Sequence, residues 1–270
     1  TKKRRILFEY AIGKNFLDFF CGTDIMVSIP YIQMEGDLRM IQVILWDIDG
    51  TLLDFGLAEK AAIRACFIRF GLGECPDDML ARYSSINQKY WNALERGELT
   101  KPQVLSGRFQ EFFQSEGIEF SDIEGFNHAY QIQLGETVVF RDHVYELVRD
   151  LKGQVRQYAV TNGTAVAQQR KLDKSGLIRL FDGVFISEQV GAEKPSPDFF
   201  RAVFNHVGPI APEEVLIVGD SLTSDIQGGN NAGILCCWYD PEDRPLPQGL
   251  TVHYHIQDLN QVREILTLSL

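Results

Sequence analysis

The chain is poor in the residues that would mark several large functional classes. It has only five cysteines in 270 residues, Cys21, Cys66, Cys75, Cys236 and Cys237, with no C-x-x-C spacing. An odd count with no histidine nearby fits neither a disulfide framework nor a zinc site. Reduced thiols in a cytoplasmic protein are the expectation. Positive charge is also short: 26 Lys and Arg stand against 37 Asp and Glu, a formal net charge of −11. No basic run is long enough to track a phosphate backbone, so nucleic acid is not an expected partner. No uninterrupted apolar stretch reaches membrane-spanning length, and no membrane association is expected. The opening "TKKRRILFEYAIGKNFLDFF" is basic at its start, but Lys14 and Asp18 interrupt its apolar part and no small-residue cleavage pattern follows. That does not fit a signal peptide.

What is present suits a globular protein, with 45% hydrophobic residues. Residues 1 to 39 mix aromatic and charged residues without clear periodicity, and Met40 sits just before the first convincing strand. The functional domain is expected to begin at Met40, the leader being an extension or a mis-assigned start, with an added helical element on the core as the competing reading. From Ile41 the chain alternates short apolar runs with helix-like segments: "IQVILW" (41 to 46), "VRQYAV" (155 to 160), "GVFIS" (183 to 187), "EVLIVG" (214 to 219) and "GILCCWY" (233 to 239). This alternation predicts an α/β fold, a parallel sheet with crossover helices. Residues 55 to 135 break it, with several amphipathic helical patterns and no good strand. A block of that length predicts an inserted helical module between core segments 40–54 and 136–270, placed over the turn it leaves from.

Ligands bind outside the carboxyl ends of strands in open parallel sheets, and the unusual polar residues fall there. Asp47 and Asp49 follow the first strand, Thr161, Asn162 and Gly163 follow "QYAV", Asp220 and Ser221 follow "LIVG", and Lys194 comes shortly after "VFIS". Together they suggest phosphoryl transfer through a carboxylate nucleophile. Asp47 would attack phosphorus. Asp47 and Asp220, with a backbone carbonyl near Asp49 and waters, could hold Mg2+. Thr161, Lys194 and the backbone amides near Gly50 and Asn162 could hold the phosphoryl oxygens. Asp49, two residues on, could act as general acid and then base, and Asp225 could orient metal-bound water or Lys194. Each piece also has a structural reading: an aspartate after a strand as a turn former or cap, Asn-Gly as a turn, "KPSPD" as a helix entry.

All four pieces in order resemble the haloacid dehalogenase superfamily: D-x-D-G-T-L-x-D at Asp47 to Asp54, T-N-G at Thr161 to Gly163, K-P-x-P-D-x-F at Lys194 to Phe200, and G-D-S-x-x-S-D at Gly219 to Asp225. The resemblance runs from about residue 41 to the C-terminus. It implies a Rossmann-like core with a mobile helical cap, an aspartyl-phosphate intermediate and a requirement for Mg2+. Members that cleave carbon–halogen bonds lack the second aspartate, so Asp49 disfavours dehalogenation.

The segments "TNGTAVAQQRKLDKSGLIRLFDGVFISEQVGAEKPSPDFF" and "VGDSLTSDIQGGNNAGILCCWYDPEDRPLPQG", with "YWNALERGELT" and "SGRFQEFF" in the cap, are similar to bacterial nucleotidases that dephosphorylate pyrimidine nucleoside monophosphates. This implies a 5'-nucleotidase for dTMP, UMP and dUMP. A small phosphate ester is thus the expected partner. Phe55, Tyr90, Trp91, Phe109, Phe112 and Phe113 could offer the base a stacking surface, and Arg108 could meet its polar edge; core packing is the competing reading for the aromatic stripe. The alternatives are a sugar-phosphate phosphatase, a phosphomutase, and a non-catalytic binding module. His253 and His255 alternate as on a strand with one exposed face, and Cys236 and Cys237 read as core residues.

Overall fold

A strand covered on both faces must be apolar at every position, and Val43–Trp46 meets that condition. The computed structural model describes residues 40–268 and, as backbone alone, strands β1 (Tyr10–Gly13), β2 (Phe16–Cys21) and β3 (Ile25–Pro30). In it Val43–Trp46 is β4, an inner strand whose four residues are all buried. Strands β4, β5 (Arg156–Thr161), β6 (Gly183–Ile186), β7 (Val215–Gly219), β8 (Leu235–Tyr239) and β9 (Tyr254–Ile256) form one sheet in the order β6-β5-β4-β7-β8-β9. Every neighbouring pair is parallel, so the expected α/β class holds. The chain builds outward from β4 through β5 to β6, then crosses back to β7 on the other side of β4. That reversal opens a crevice at the carboxyl ends of β5, β4 and β7.

The two-residue period of a strand sends alternate side chains to opposite faces. Ile44 and Trp46 pack with α5 (Val144–Leu151), α6 (Ala165–Ser175) and α10 (Gln261–Leu268) on one face. Val43 and Leu45 pack with Phe199, Phe200, Val203 and Val207 of α8 (Pro197–Val207) on the other. The short α9 (Gln227–Ala232) approaches the sheet so closely that a Cβ on Gly229 would lie 2.5 Å from the Cys236 sulfur and 2.8 Å from Ile217. Only glycine fits there. His253 and His255, read from the sequence as strand residues, flank Tyr254 at the edge strand β9. His255 stacks on Trp238 at 4.6 Å, and His253 Nδ1 accepts from the Cys236 amide.

Helices α1 (Phe55–Phe70), α2 (Asp77–Glu95), α3 (Lys101–Ser115) and α4 (Ile123–Glu136) intervene between β4 and α5. They have a core of their own, in which Phe67, Tyr83, Phe109, Phe112, Phe113, Phe126 and Tyr130 are buried. The chain leaves and re-enters the sheet layer side by side: Asp54 N donates to Val139 O at 2.8 Å and Arg141 N to Leu52 O at 3.1 Å. Asp54 also caps α1 by accepting from Leu57 N.

In the leader, the described backbone is a three-stranded antiparallel sheet, β1-β2-β3. Within residues 10–13, 16–21 and 25–30 this corrects the helical alternative. The rest of that segment lies outside the described residues. Among the described residues no helix is long and apolar enough to cross a membrane.

Candidate active site

The acidic turn after β4 forms because Gly50 adopts φ +95. A side chain there would be strained, and a Cβ would lie 2.5 Å from Asp220 Oδ2. Gly50 thus lets the first and last strand-end loops meet. Thr51 joins them: its hydroxyl lies 3.0 Å from Asp47 Oδ2 and 3.1 Å from Asp220 Oδ1, and it accepts from Asp220 N at 3.0 Å. A hydroxyl has one hydrogen, so it serves one of the two carboxylates at a time.

Lys194 is fully buried. Its ammonium donates to Asp47 Oδ1 at 2.8 Å, Asp225 Oδ1 at 2.6 Å and the Val160 carbonyl at 2.9 Å. Burial alone would weaken its hold on the proton, but Asp225 and Asp47 keep it above the ordinary lysine range. The Asn162 side chain secures the Lys194 backbone with two hydrogen bonds of 2.8 Å, one to the carbonyl and one from the amide. "KPSPD" is also the helix entry it resembled, since Ser196 caps α8 with Pro197 at its first position. The structural and chemical readings of that stretch coexist.

Carboxylate oxygens of Asp47, Asp220 and Asp225 come within 4.8 Å of one another. Burial raises the pKa of Asp47, and burial followed by the charge of Asp47 raises that of Asp220. Asp225 is pushed up to about 6 by burial despite Lys194. Its oxygens are engaged by Lys194 Nζ and the Ser221 amide. Asp47 and Asp220 are left as the pair short of positive charge, and a hard divalent cation fits such an all-oxygen set. The Asp49 carboxylate points elsewhere: Lys171 Nζ donates to Oδ1 at 2.5 Å and Gln168 Nε2 to Oδ2 at 2.6 Å. Any metal contact from Asp49 is therefore confined to its backbone carbonyl. Ser221 holds its own turn, its hydroxyl accepting from Ser224 N.

An open cleft lies over these groups. The core contributes Asp47, Asp49, Gly50, Thr161, Asn162, Gly163, Lys194, Asp220, Ser221, Ser224 and Asp225. The helical layer contributes Phe55, Asn87, Gln88, Trp91 and Glu95. Phe55 and Trp91 thus stand where the sequence reading put them. Arg108 does not. It is 1% exposed, its guanidinium bonded to Asn87 Oδ1 and Asn127 Oδ1 and packed over the rings of Phe109 and Tyr130. Desolvating a guanidinium requires such partners, so Arg108 supports Asn87 from behind and does not face the cleft. Phe109, Phe112 and Phe113 are core residues of the helical layer, and Tyr90 does not line the cleft.

Two side chains that sequence reasoning missed tie the layers together. Buried Lys101, at the start of α3, donates to the Asn162 carbonyl at 3.0 Å and to Ser187 Oγ at 2.5 Å, with Glu193 at 3.3 Å. Glu95, at the end of α2, accepts from the Thr223 hydroxyl. Asn87, Trp91 and Glu95 recur every four residues, a stripe legible in the sequence once α2 is known to face the cleft.

The set built around Asp47 coincides with what is known of other chains. The family model of haloacid dehalogenase-like hydrolases matches residues 41–233. The chain belongs to this family. It is therefore a hydrolase, as its motifs indicate. The HAD-hydrolase YfnB of Bacillus subtilis is 35% identical over 232 residues, 86% of this chain and 98% of its own length. Its crystal structure, described as bound to magnesium and as revealing interdomain movement, superposes with a TM-score of 0.78, covering 84% of this chain and 99% of that one. The pyrimidine 5'-nucleotidase PynA of Streptococcus pneumoniae is 34% identical over 220 residues, 80% of this chain and 92% of PynA. A glyceraldehyde 3-phosphate phosphatase of Methanopyrus kandleri is 46% identical over 211 residues, 73% of this chain and 82% of that protein.

Proposed function

We propose that this chain is a cytoplasmic, Mg2+-dependent phosphomonoester hydrolase acting on pyrimidine nucleoside monophosphates, with residues 55–135 as a cap over a core of 40–54 and 136–270. The observation that carries the reading is the placement of Asp47. It is a nearly buried carboxylate at a strand end, with one oxygen on Lys194 and Asp220 close by. Such an arrangement holds a nucleophile in place and leaves a surplus of negative charge for a cation to answer.

Asp47 attacks phosphorus while Thr161 and the amides of Gly50 and Asn162 hold the phosphoryl oxygens, and Lys194, whose three hydrogens are placed on Asp47, Asp225 and the Val160 carbonyl, contributes its charge. Asp49 protonates the departing oxygen and later takes a proton from water. Mg2+ held by Asp47, Asp220 and the backbone carbonyl of Asp49 would neutralise the carboxylates and the phosphoryl group. Asp225 and Ser221 keep Lys194 and the Asp220 turn in place. The nucleoside is read by the cap: Phe55 and Trp91 supply a face for the base, and Gln88 supplies a carboxamide for its polar edge, while the Asn87 carboxamide is held between Glu59 and Arg108. The kinship with PynA supports that choice, and the kinship with the glyceraldehyde 3-phosphate phosphatase supports a sugar phosphate as the second reading. The four described cysteines are free and buried, in keeping with a reducing compartment.

The test is phosphate release from a panel of nucleoside monophosphates and sugar phosphates, with Mg2+ and with chelator. UMP and dTMP should turn over well, purine nucleotides poorly, and chelator or Asp47→Asn should stop the reaction. Faster release from sugar phosphates would overturn the base-reading assignment, and turnover by Asp47→Asn the covalent route.

A further inference from the structure

Asp49 stands two residues from the nucleophile, yet its carboxylate is held from a distant helix. Lys171 and Gln168 of α6 take one oxygen each, at 2.5 and 2.6 Å. They are three residues apart and share a helix face. Both are 1% exposed. The Lys171 ammonium also lies 5.4 Å from the centre of the Phe55 ring, on the wall of the cleft. The partner of this buried ammonium is the Asp49 carboxyl. Gln168 keeps its Oε1 without a hydrogen-bond partner, so its amide is oriented by what its nitrogen donates to. The helix that carries both begins just beyond Thr161, Asn162 and Gly163. One element thus ties the phosphoryl-binding loop to the acid and base.

We propose that Lys171 and Gln168 are positioning residues that fix the plane of the Asp49 carboxyl at the cleft, so that one of its oxygens meets the oxygen leaving phosphorus. This rests on the phosphatase reading above. In the first half-reaction an Asp47 oxygen bonds to phosphorus as the ester P–O bond breaks, and the Asp49 proton passes to the departing oxygen to release the alcohol. In the second, water attacks the same phosphorus and its proton passes to Asp49. The Asp47–phosphate bond then breaks, giving inorganic phosphate and both aspartates as they began. A carboxyl free to rotate would be out of line for both transfers. Lys171 also faces the negative charge that Asp49 acquires when its proton leaves.

The leaving group separates positioning from mere packing. The nucleoside alkoxide of UMP needs a proton, whereas 4-nitrophenolate departs without one. Lys171→Met keeps the bulk of the side chain and removes the charge. With Mg2+ present, it should lower kcat/KM for UMP by about tenfold or more, a fraction of the general-acid contribution, and lower kcat/KM for 4-nitrophenyl phosphate far less. Asp49→Asn should show the same split, larger. Equal loss on both esters, or unchanged kcat/KM for UMP, would overturn the assignment. If Lys171→Met fails to fold, Gln168→Leu is held to the same criterion and overturns the proposal on the same outcomes. A split in Asp49→Asn with none in the α6 variants rejects the clamp alone, whereas no split in Asp49→Asn rejects the acid and base reading beneath it.

Discussion

Replacing Lys194 with methionine removes one ammonium and strands two buried carboxylates. Lys194 Nζ lies 2.8 Å from Asp47 and 2.6 Å from Asp225, and the Lys194 and Asp225 side chains are each 1% exposed. Removing one partner of a buried ion pair costs about 3–5 kcal/mol, because the other charge is left without compensation. For a chain of this size each kcal/mol moves the unfolding midpoint by about 2–4 °C, so Lys194→Met should unfold about 6–20 °C below wild type. The loss should depend on pH. Asp225 is raised from 3.8 to about 6 even with Lys194 in place. A carboxyl raised in the folded state contributes stability that is complete below its unfolded pKa and lost as pH rises through the folded one. Without Lys194 that upper limit climbs, so the deficit should widen from roughly pH 5 to pH 8. Adding Asp225→Asn should return about 0.5–3 kcal/mol, since the pair is coupled. Thermal unfolding followed by circular dichroism measures all three. A Lys194→Met midpoint within about 2 °C of wild type, the same at both pH values, would refute the charge argument.

Two other substitutions probe the loop and the cap. Gly50→Ala places a methyl 2.5 Å from Asp220 Oδ2 at φ +95, which should cost about 1–3 kcal/mol in strain and reduce phosphate release; a variant with wild-type midpoint and turnover would show that the loops can separate freely. Trp91→Ala removes an aromatic face from the cleft and should raise KM for UMP by about tenfold, from base stacking worth roughly 1–3 kcal/mol, while changing KM for a sugar phosphate little. Equal shifts for both substrates would show that Trp91 shapes the cleft without reading the base.

The strand-end cluster was legible because each motif couples a local structural need to a side chain. The strand β4 must be apolar on both faces, the turn after it must hold glycine at position 50, and the stretch after β6 must enter a helix through Ser196 and Pro197. These constraints are written over a few consecutive residues. The positions that were illegible depend on contacts between residues far apart in the chain. Gln168 and Lys171 lie 119 and 122 residues from Asp49, and on α6 they look like an ordinary polar helix surface until the packing shows them buried. Arg108 failed in the opposite sense: an arginine beside a phenylalanine reads as a base-binding pair, and only the three-dimensional placement of Asn87 and Asn127 turns it inward. The leader misled for a simpler reason, since antiparallel strands paired with one another need no helix period to signal them.

The division between legible and illegible residues follows the division of labour in the site. Groups that would act on phosphorus sit on loops tied to a central strand, where a shift of one residue would flip every side chain to the other face of the sheet. Groups that would choose the substrate sit on α2, which reaches the cleft through helix packing and through side chains such as Glu95 on Thr223 and Lys101 on the Asn162 carbonyl. These polar contacts between layers are individually modest. On the proposed reading, positions 88 and 91 would be open to change without disturbing Asp47, Lys194 or Asp220. PynA and the glyceraldehyde 3-phosphate phosphatase, at 34% and 46% identity to this chain, are named for different substrates. Chemistry in this chain is to be sought at the strand ends, and specificity along one face of α2.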